Sequence, residues 1–160
     1  MTMLIKYRKY RSPDFLDAAR IVRDVSKRYF HKDIRTVEGR KFWRNIQSLK
    51  KDNIANQKRL FTIIPIKIVA EHNSKLVGII TGKSDEVVML FVKPAYQQRG
   101  IAKELYSRFK RQAIFQNAKR IKVKSSRFAE KFYQKVGFVR TGPEKDLHGL
   151  PAIPMEAKMR

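Results

Sequence analysis

The sequence predicts an α/β fold, a sheet covered by helices, from three observations. Glu86–Val92 is a run of mainly apolar residues that reads as a buried strand; Lys93-Pro94 ends it and a polar loop then opens a helix. Ile64–Glu71 and Lys75–Gly82 are two more strand-like runs, separated by His72-Asn73-Ser74 at the spacing of a hairpin. Within Gly100–Gln116, Ile101, Leu105, Phe109 and Ala113 recur every four residues, which makes one apolar stripe on a helix. A helix with one apolar stripe needs a surface to cover, and the strands supply it.

The remaining elements follow in order. Met3–Arg8 alternates apolar and basic residues like an edge strand, and Ser12-Pro13-Asp14 is a helix-start signal. The helix that follows carries Leu16, Ala19, Val22 and Tyr29 on its apolar side. A second helix is predicted over Val37–Leu49, with Phe42, Ile46 and Leu49 on one face, and Asp52–Arg59 reads as a polar loop. The continuous apolar character of Glu86–Val92 predicts burial on both faces. Ile121–Ser125 is a short strand and Phe128–Val136 a helix with Gly137 as its C-cap; Phe138–Thr141 and Ile153–Met159 close the sheet. No linker, repeat or low-complexity tract divides the chain, so residues 1–160 are expected to form a single domain.

Composition narrows the chemistry. The 160 residues are 42% hydrophobic and include 10 Phe, 6 Tyr and 1 Trp, enough for a core. There is no cysteine, hence no disulfide framework, thiolate nucleophile or thiolate metal site. The start lacks the apolar segment of a signal peptide, and the apolar stretch Leu60–Ala70 is broken by Thr62, Pro65 and Lys67. A soluble cytoplasmic protein, monomer or homodimer, with no membrane span is the expectation. Lys and Arg number 37 against 14 Asp and Glu, a formal net charge of +23. That field attracts polyanions. It fits a solvated basic surface, association with nucleic acid or a ribosome, or an acidic acceptor substrate.

The loop after Glu86–Val92 contains Gln97, Gln98, Arg99, Gly100, Ile101 and Ala102, a Gln-x-x-Gly-x-Ala spacing at a strand–helix junction. Small residues let backbone N–H groups approach an anion, and the helix N-terminus favours negative charge. Downstream stand Ser126, Ala129, Phe132, Tyr133, Lys135, Gly137 and Phe138. The two segments together resemble the acetyl-CoA-binding motifs of the GNAT superfamily of N-acetyltransferases, Gln/Arg-x-x-Gly-x-Gly/Ala and Ser/Asn-x-x-Ala-x-x-Phe-Tyr-x-Lys-x-Gly-Phe. The likeness is strong over residues 86–141 and thinner before them.

The resemblance implies a mixed, mostly antiparallel sheet of about six to seven strands flanked by about four helices. It implies acetyl-CoA as acetyl donor, no metal, and direct transfer to a primary amine in a ternary complex. The pyrophosphate would lie on the main chain of Gln97–Ala102, the pantetheine arm along the backbone of Phe91 and Val92, with Ser126, Ala129 and Phe132 beside it and Lys135 near phosphate. Tyr133 would be the general acid for the leaving thiolate, since a phenol is a donor at neutral pH. Glu86, eleven residues before Gln97, matches a base found in the histone-acetylating branch.

His148, with Glu144 and Asp146, is expected in a loop bordering the acceptor, whereas His31 and His72 read as surface residues and nothing resembles a metal site. The net charge favours a neutral or acidic acceptor, a small molecule or a peptide amine. The alternative is a basic GNAT-like module that binds coenzyme A and associates with nucleic acid or a ribosome. Lys6–Arg11, which interleaves bases with aromatics, is read either as that contact or as a charged edge strand; Lys119–Lys124 presents a row of bases.

Overall fold

Three hairpins and one helical crossover generate most of the sheet. The computed structural model describes residues 2–159. In chain order the elements are β1 (Lys6–Lys9), α1 (Phe15–Tyr29), α2 (Val37–Gln47), α3 (Lys51–Ile63), β2 (Ile66–His72), β3 (Lys75–Lys83), β4 (Glu86–Val92), α4 (Ile101–Phe115), β5 (Arg120–Ser125), α5 (Glu130–Lys135), β6 (Val139–Arg140), β7 (Lys145–Leu147) and β8 (Leu150–Lys158). Among the described residues eight strands pair in the order β1-β2-β3-β4-β5-β8-β6, with β7 also on β8. Every pairing is antiparallel except β4 with β5. That exception follows from α4, a helical crossover that returns the chain in the direction of β4.

β3 is the strand sealed on both faces, buried from Leu76 to Gly82. Ile80 joins the core under α4, where Ile101, Leu105, Phe109 and Ala113 are each 2% exposed or less. Leu76 and Ile79 join the core under α1, with Phe15, Ala18, Ile21 and Val25. The sequence assigned this double burial to β4, but there Val88 is 46% exposed and Leu90 and Phe91 are half-buried. β4 is apolar on both faces because one of them lines a cavity.

The α1 stripe is wider than the expected one: Ala19 and Val22 are buried as expected, and Phe15, Ala18, Ile21 and Val25 join them. A 3₁₀ turn at Ser12–Asp14 precedes the helix, and Asp14 is buried. Its carboxylate accepts from the Arg8 guanidinium at 2.8 and 2.9 Å and from the Arg11 amide at 2.7 Å, while Arg8 also donates to Glu71 at 2.7 Å. The Arg8 contact holds the Asp14 carboxyl below the usual carboxylate range. Anchored there, the helix buries Phe15, Ala18 and Ile21 and leaves Leu16 45% exposed. The same contacts decide the role of Lys6–Arg11. Arg8 is paired, Tyr7 lies under Arg108 at 4.9 Å and Tyr10 packs on Phe61 at 5.6 Å, so this is an edge strand whose aromatics face the protein.

Two elements differ from the sequence reading. Residues 52–59, expected as loop, lie in α3, a fifth α-helix. It buries only Gln57 and Phe61, too narrow an apolar stripe to detect by periodicity. Gln57 Nε2 donates to the carbonyls of Ile46 (3.0 Å), Ser48 (3.3 Å) and Asn45 (3.4 Å), closing the end of α2. β7 replaces the expected loop before β8. Its two-residue turn, His148-Gly149, has φ of 52° and 80°, the twist that hairpins favour.

Candidate active site

The site begins at an irregularity in β4. Thr81 pairs with Met89 but Gly82 pairs with Val87, so Val88 is an extra residue, a β-bulge. β4 pairs with β5 only at Glu86–Lys122 and Val87–Val123, after which the two strands part. Lys93 N–H donates to Val77 O at 2.8 Å, which sets the phase of the β3–β4 ladder. Alternation then turns the Phe91 amide towards Ile79 on β3 and the Leu90 and Val92 amides towards the open side. Of the two backbone positions expected from the sequence, Val92 faces the cleft; Leu90 takes the place expected of Phe91, because a strand presents every second amide to one neighbour.

Beyond β4, a 3₁₀ turn at Pro94–Tyr96 leads into the loop. Gln97 is consumed internally: its N–H donates to Pro94 O (3.3 Å), its Nε2 to Val92 O (3.0 Å), and its Oε1 accepts from the Tyr29 hydroxyl (2.7 Å). The open donors therefore start at Gln98, whose φ is +60°. Gly100 is the N-cap of α4 with φ of +80° and no side-chain cap, and a Cβ built on it meets nothing within 4 Å. The first amide to close the helix is that of Glu104, bonded to Gly100 O at 3.0 Å. The amides of Ile101, Ala102 and Lys103 precede that bond, at the positive end of a 15-residue helix. Gln98, Arg99 and Gly100 are exposed around them. Such a terminus fits the pyrophosphate of a nucleotide.

The opposite wall comes from β5 and α5. Ser126 Oγ accepts from the Ala129 amide at 3.2 Å, and Ser125 Oγ donates to Ser126 O at 2.7 Å. α5 ends with Gly137 N–H on Gln134 O (3.2 Å) and Phe138 N–H on Tyr133 O (2.9 Å), the two bonds of a Schellman cap. This cap pins Tyr133, whose ring meets Phe138 at 5.1 Å and 70°. Tyr133 is 4% exposed, and burial, with a smaller contribution from Tyr106, pushes its phenol well above the ordinary value. No described residue hydrogen-bonds its hydroxyl.

Between these walls lies a cavity of about 400 Å³. Val88–Val92, Ser125, Ser126, Ala129 and Tyr133 line it from the sheet and α5, and Phe30, Phe42, Trp43, Ile46, Leu60 and Ile63 from the helices before β2. The two sets meet where the Phe30 ring packs on Phe91 at 5.8 Å.

Residues 32–159 match the family described as acetyltransferase (GNAT) domain. The chain belongs to the GNAT acetyltransferase family. A GCN5-related N-acetyltransferase from Rhodopseudomonas palustris superposes with a TM-score of 0.81 at 22% identity, covering 99% of both chains. The PaiA N-acetyltransferase from Thermoplasma acidophilum, solved with coenzyme A, gives 0.74 at 21% identity over 98% of this chain and all of that one. A GNAT-family acetyltransferase from Staphylococcus aureus Mu50 gives 0.71 at 14% identity over 98% and 100%. These similarities carry the fold. Comparison with curated protein sequences gives no match.

Within the acetyltransferase domain, Phe91, Val92, Gln97, Ser126, Ala129 and Tyr133 line the cavity, while Gln98–Ala102 continue the loop from Gln97 into α4 outside the lining. Phe132 is half-buried and packs against the main core, and Lys135 is exposed at the end of α5. Glu86 lies outside the cavity lining, at the closed end of the cleft opposite Lys122. Glu144 is occupied by Arg127 at 2.6 and 2.8 Å and Arg35 at 3.4 Å, and the Arg127 contact lowers its pKa. His148 is exposed and stacks on Phe42 at 3.9 Å and 13°, on a ring that lines the cavity. His72 is not a free surface residue: its Nδ1 lies 3.0 Å from the Tyr96 hydroxyl. Among the described residues no group of three or more His, Cys, Asp or Glu could hold a metal, and no helix is long and apolar enough to cross a membrane.

Sequence reasoning did not single out Phe30 or Trp43, and it read Tyr29 only as part of a helix stripe and Leu60 and Ile63 only as part of an apolar stretch. The Phe42–Ile46 stripe was legible as a packing face, and the structure makes that face a cavity wall.

Proposed function

We propose that the protein transfers an acetyl group from acetyl-CoA to a primary amine within a ternary complex. The observation that carries this reading is the parting of β4 from β5 at the Val88 bulge, in a cavity that Tyr133 also lines and that reaches Gln97, just before the uncapped N-terminus of α4. Amides of Gln98–Lys103 would hold the pyrophosphate and the Val92 amide the pantetheine arm. The Leu90 amide would donate to the thioester oxygen as it becomes an oxyanion.

The amine lone pair attacks the carbonyl carbon, forming the C–N bond. Collapse of the oxyanion breaks the C–S bond, and the thiolate takes the Tyr133 phenolic proton. The nitrogen releases its extra proton to water, with Glu86 the carboxylate that would receive it, and the phenolate is reprotonated from solvent. A phenol with a raised pKa is a weak acid, but the same apolar walls raise the proton affinity of a thiolate. Donor and acceptor therefore stay matched. With no cysteine in the chain no acetyl-cysteine intermediate can form, which favours direct attack by the amine.

The test is coenzyme A release over a panel of amines with wild type and Tyr133→Phe. Turnover by wild type and a fall of about 10²-fold in kcat for the variant is expected. Absence of turnover with every amine, together with no acetyl-CoA binding, would refute the reading.

A further inference from the structure

The helix-lined side of the cavity is mainly apolar. Trp43 meets Phe30 at 5.6 Å and 74° and Phe42 at 5.3 Å and 86°, an edge-to-face aromatic trio across α1 and α2. Ile46 and Leu60 add aliphatic wall. Among all lining residues there is no Asp or Glu, and Lys124 is the one charged side chain. Two side-chain donors belong to this wall: Gln57, whose N–H groups are committed to the carbonyls of Ile46 and Ser48, and the Trp43 indole N–H, which is buried with no partner among the described residues. The apolar character continues outside: Leu60 is 52% exposed, Ile63 72%, Val88 46% and Phe128 49%, all four on the cavity rim.

We infer that the acceptor is a primary amine on a bulky apolar body, arylalkyl or branched alkyl, with no second positive charge. This rests on the acetyl-transfer reading and specifies its substrate. An ammonium ion entering the chamber loses hydration and finds no carboxylate, inside a chain of net charge +23. The neutral amine pays no such cost and is the nucleophilic form. Burying its apolar body supplies the binding energy. A diamine or polyamine brings a second charge that nothing in the chamber compensates.

Two measurements test the inference independently of each other. Trp43 is the single tryptophan of the chain, so its fluorescence reports chamber occupancy without chemistry. Titration with 2-phenylethanol, which has the body of 2-phenylethylamine without the amine, is expected to shift that fluorescence saturably. In the acetylation assay, kcat/KM for straight-chain amines from ethylamine to hexylamine is expected to rise about fourfold per methylene until the chamber is full. Putrescine and spermidine are expected to fall below butylamine. Ile63→Glu places a carboxylate on an exposed rim position, where folding is not at stake; the preference for hexylamine over putrescine is expected to shrink at least about fivefold.

Equal kcat/KM along the amine series, or spermidine preferred over hexylamine, overturns the inference while leaving acetyl transfer in place. A saturable Trp43 response to 2-phenylethanol with no amine turned over supports the ligand class and refutes acetyl transfer to amines. No response and no chain-length dependence would overturn the chamber as the acceptor site.

Discussion

The Tyr29 hydroxyl donates to Gln97 Oε1 at 2.7 Å, tying the last residue of α1 to the start of the loop before α4. Gln97 passes the connection on through its Nε2 to Val92 O, and the Tyr29 ring lies on Phe128 at 3.8 Å and 16°. One tyrosine thus braces both lips of the cleft. Tyr29→Phe keeps the stack and deletes the hydrogen bond, a loss of about 1 kcal/mol in loop ordering. Acetyl-CoA affinity measured by calorimetry is expected to weaken about fivefold, with kcat at saturation nearly unchanged. An unchanged affinity would mean that the loop holds its shape without the brace.

Tyr133 also makes a prediction about stability. Its pKa is raised, and burial pushes that of Tyr106 up to about 12. Above pH ~10 the unfolded chain releases both phenolic protons while the native state retains them. The unfolded state then binds fewer protons, so stability that is complete below pH ~10 is lost as pH rises towards the native values. Each tyrosine contributes a loss of about 1.4 kcal/mol per pH unit in that window. Chemical denaturation between pH 9 and 12 should show this decline in wild type and a shallower one in Tyr133→Phe. Parallel curves would contradict the burial of the hydroxyl.

Gly100 separates backbone conformation from space. A Cβ there meets no atom, but φ of +80° strains any L side chain. Gly100→Val is expected to cost about 1–3 kcal/mol in folding free energy from strain. It also projects a side chain beside the α4 amides, so acetyl-CoA affinity should fall at least tenfold. A variant that loses stability but binds as wild type would place the anion elsewhere.

Gly39 is a contact rather than a conformational requirement. A Cβ there would lie 2.5 Å from His148 O and 2.8 Å from Gly149 Cα, both backbone atoms of the β7–β8 turn. That turn is also held by Arg35 N–H on Gly149 O at 2.8 Å. Gly39→Ala must push the turn off α2, at a cost of about 1–3 kcal/mol. The His148–Phe42 stack should loosen, seen as a lower Tm and as a change in Trp43 fluorescence. A Tm equal to that of wild type would show that the turn moves freely.

The residues that were easiest to read in the sequence are those whose neighbours are local. Ile101, Leu105, Phe109 and Ala113 lie on one helix face whatever that helix touches, and all four are buried. The cap at Gly137 needs only α5 and the two residues after it. α3 escaped because its face is narrow: Phe61 packs inward while Leu60 and Ile63 edge a cavity. The β4 strand was found at its full length, yet its apolar run has two indistinguishable causes in one dimension, a sealed core and a cleft wall. Gln97 was legible as a loop position, but its amide and side chain are spent on Pro94, Val92 and Tyr29, a partner 68 positions away.

By itself the sequence determined the α/β class, the strand–loop–helix that presents free amides, and the Ser126–Phe138 segment that carries Tyr133, because helix periodicity, glycine at a junction and a C-cap are short-range physics. Tertiary structure alone decided which β4 amides face the cleft, since the phase comes from pairing with β3. It also decided that Glu144 is spent on arginines and that three helices enclose an apolar chamber. These depend on which surfaces meet across the fold, and no local pattern in the chain encodes that meeting.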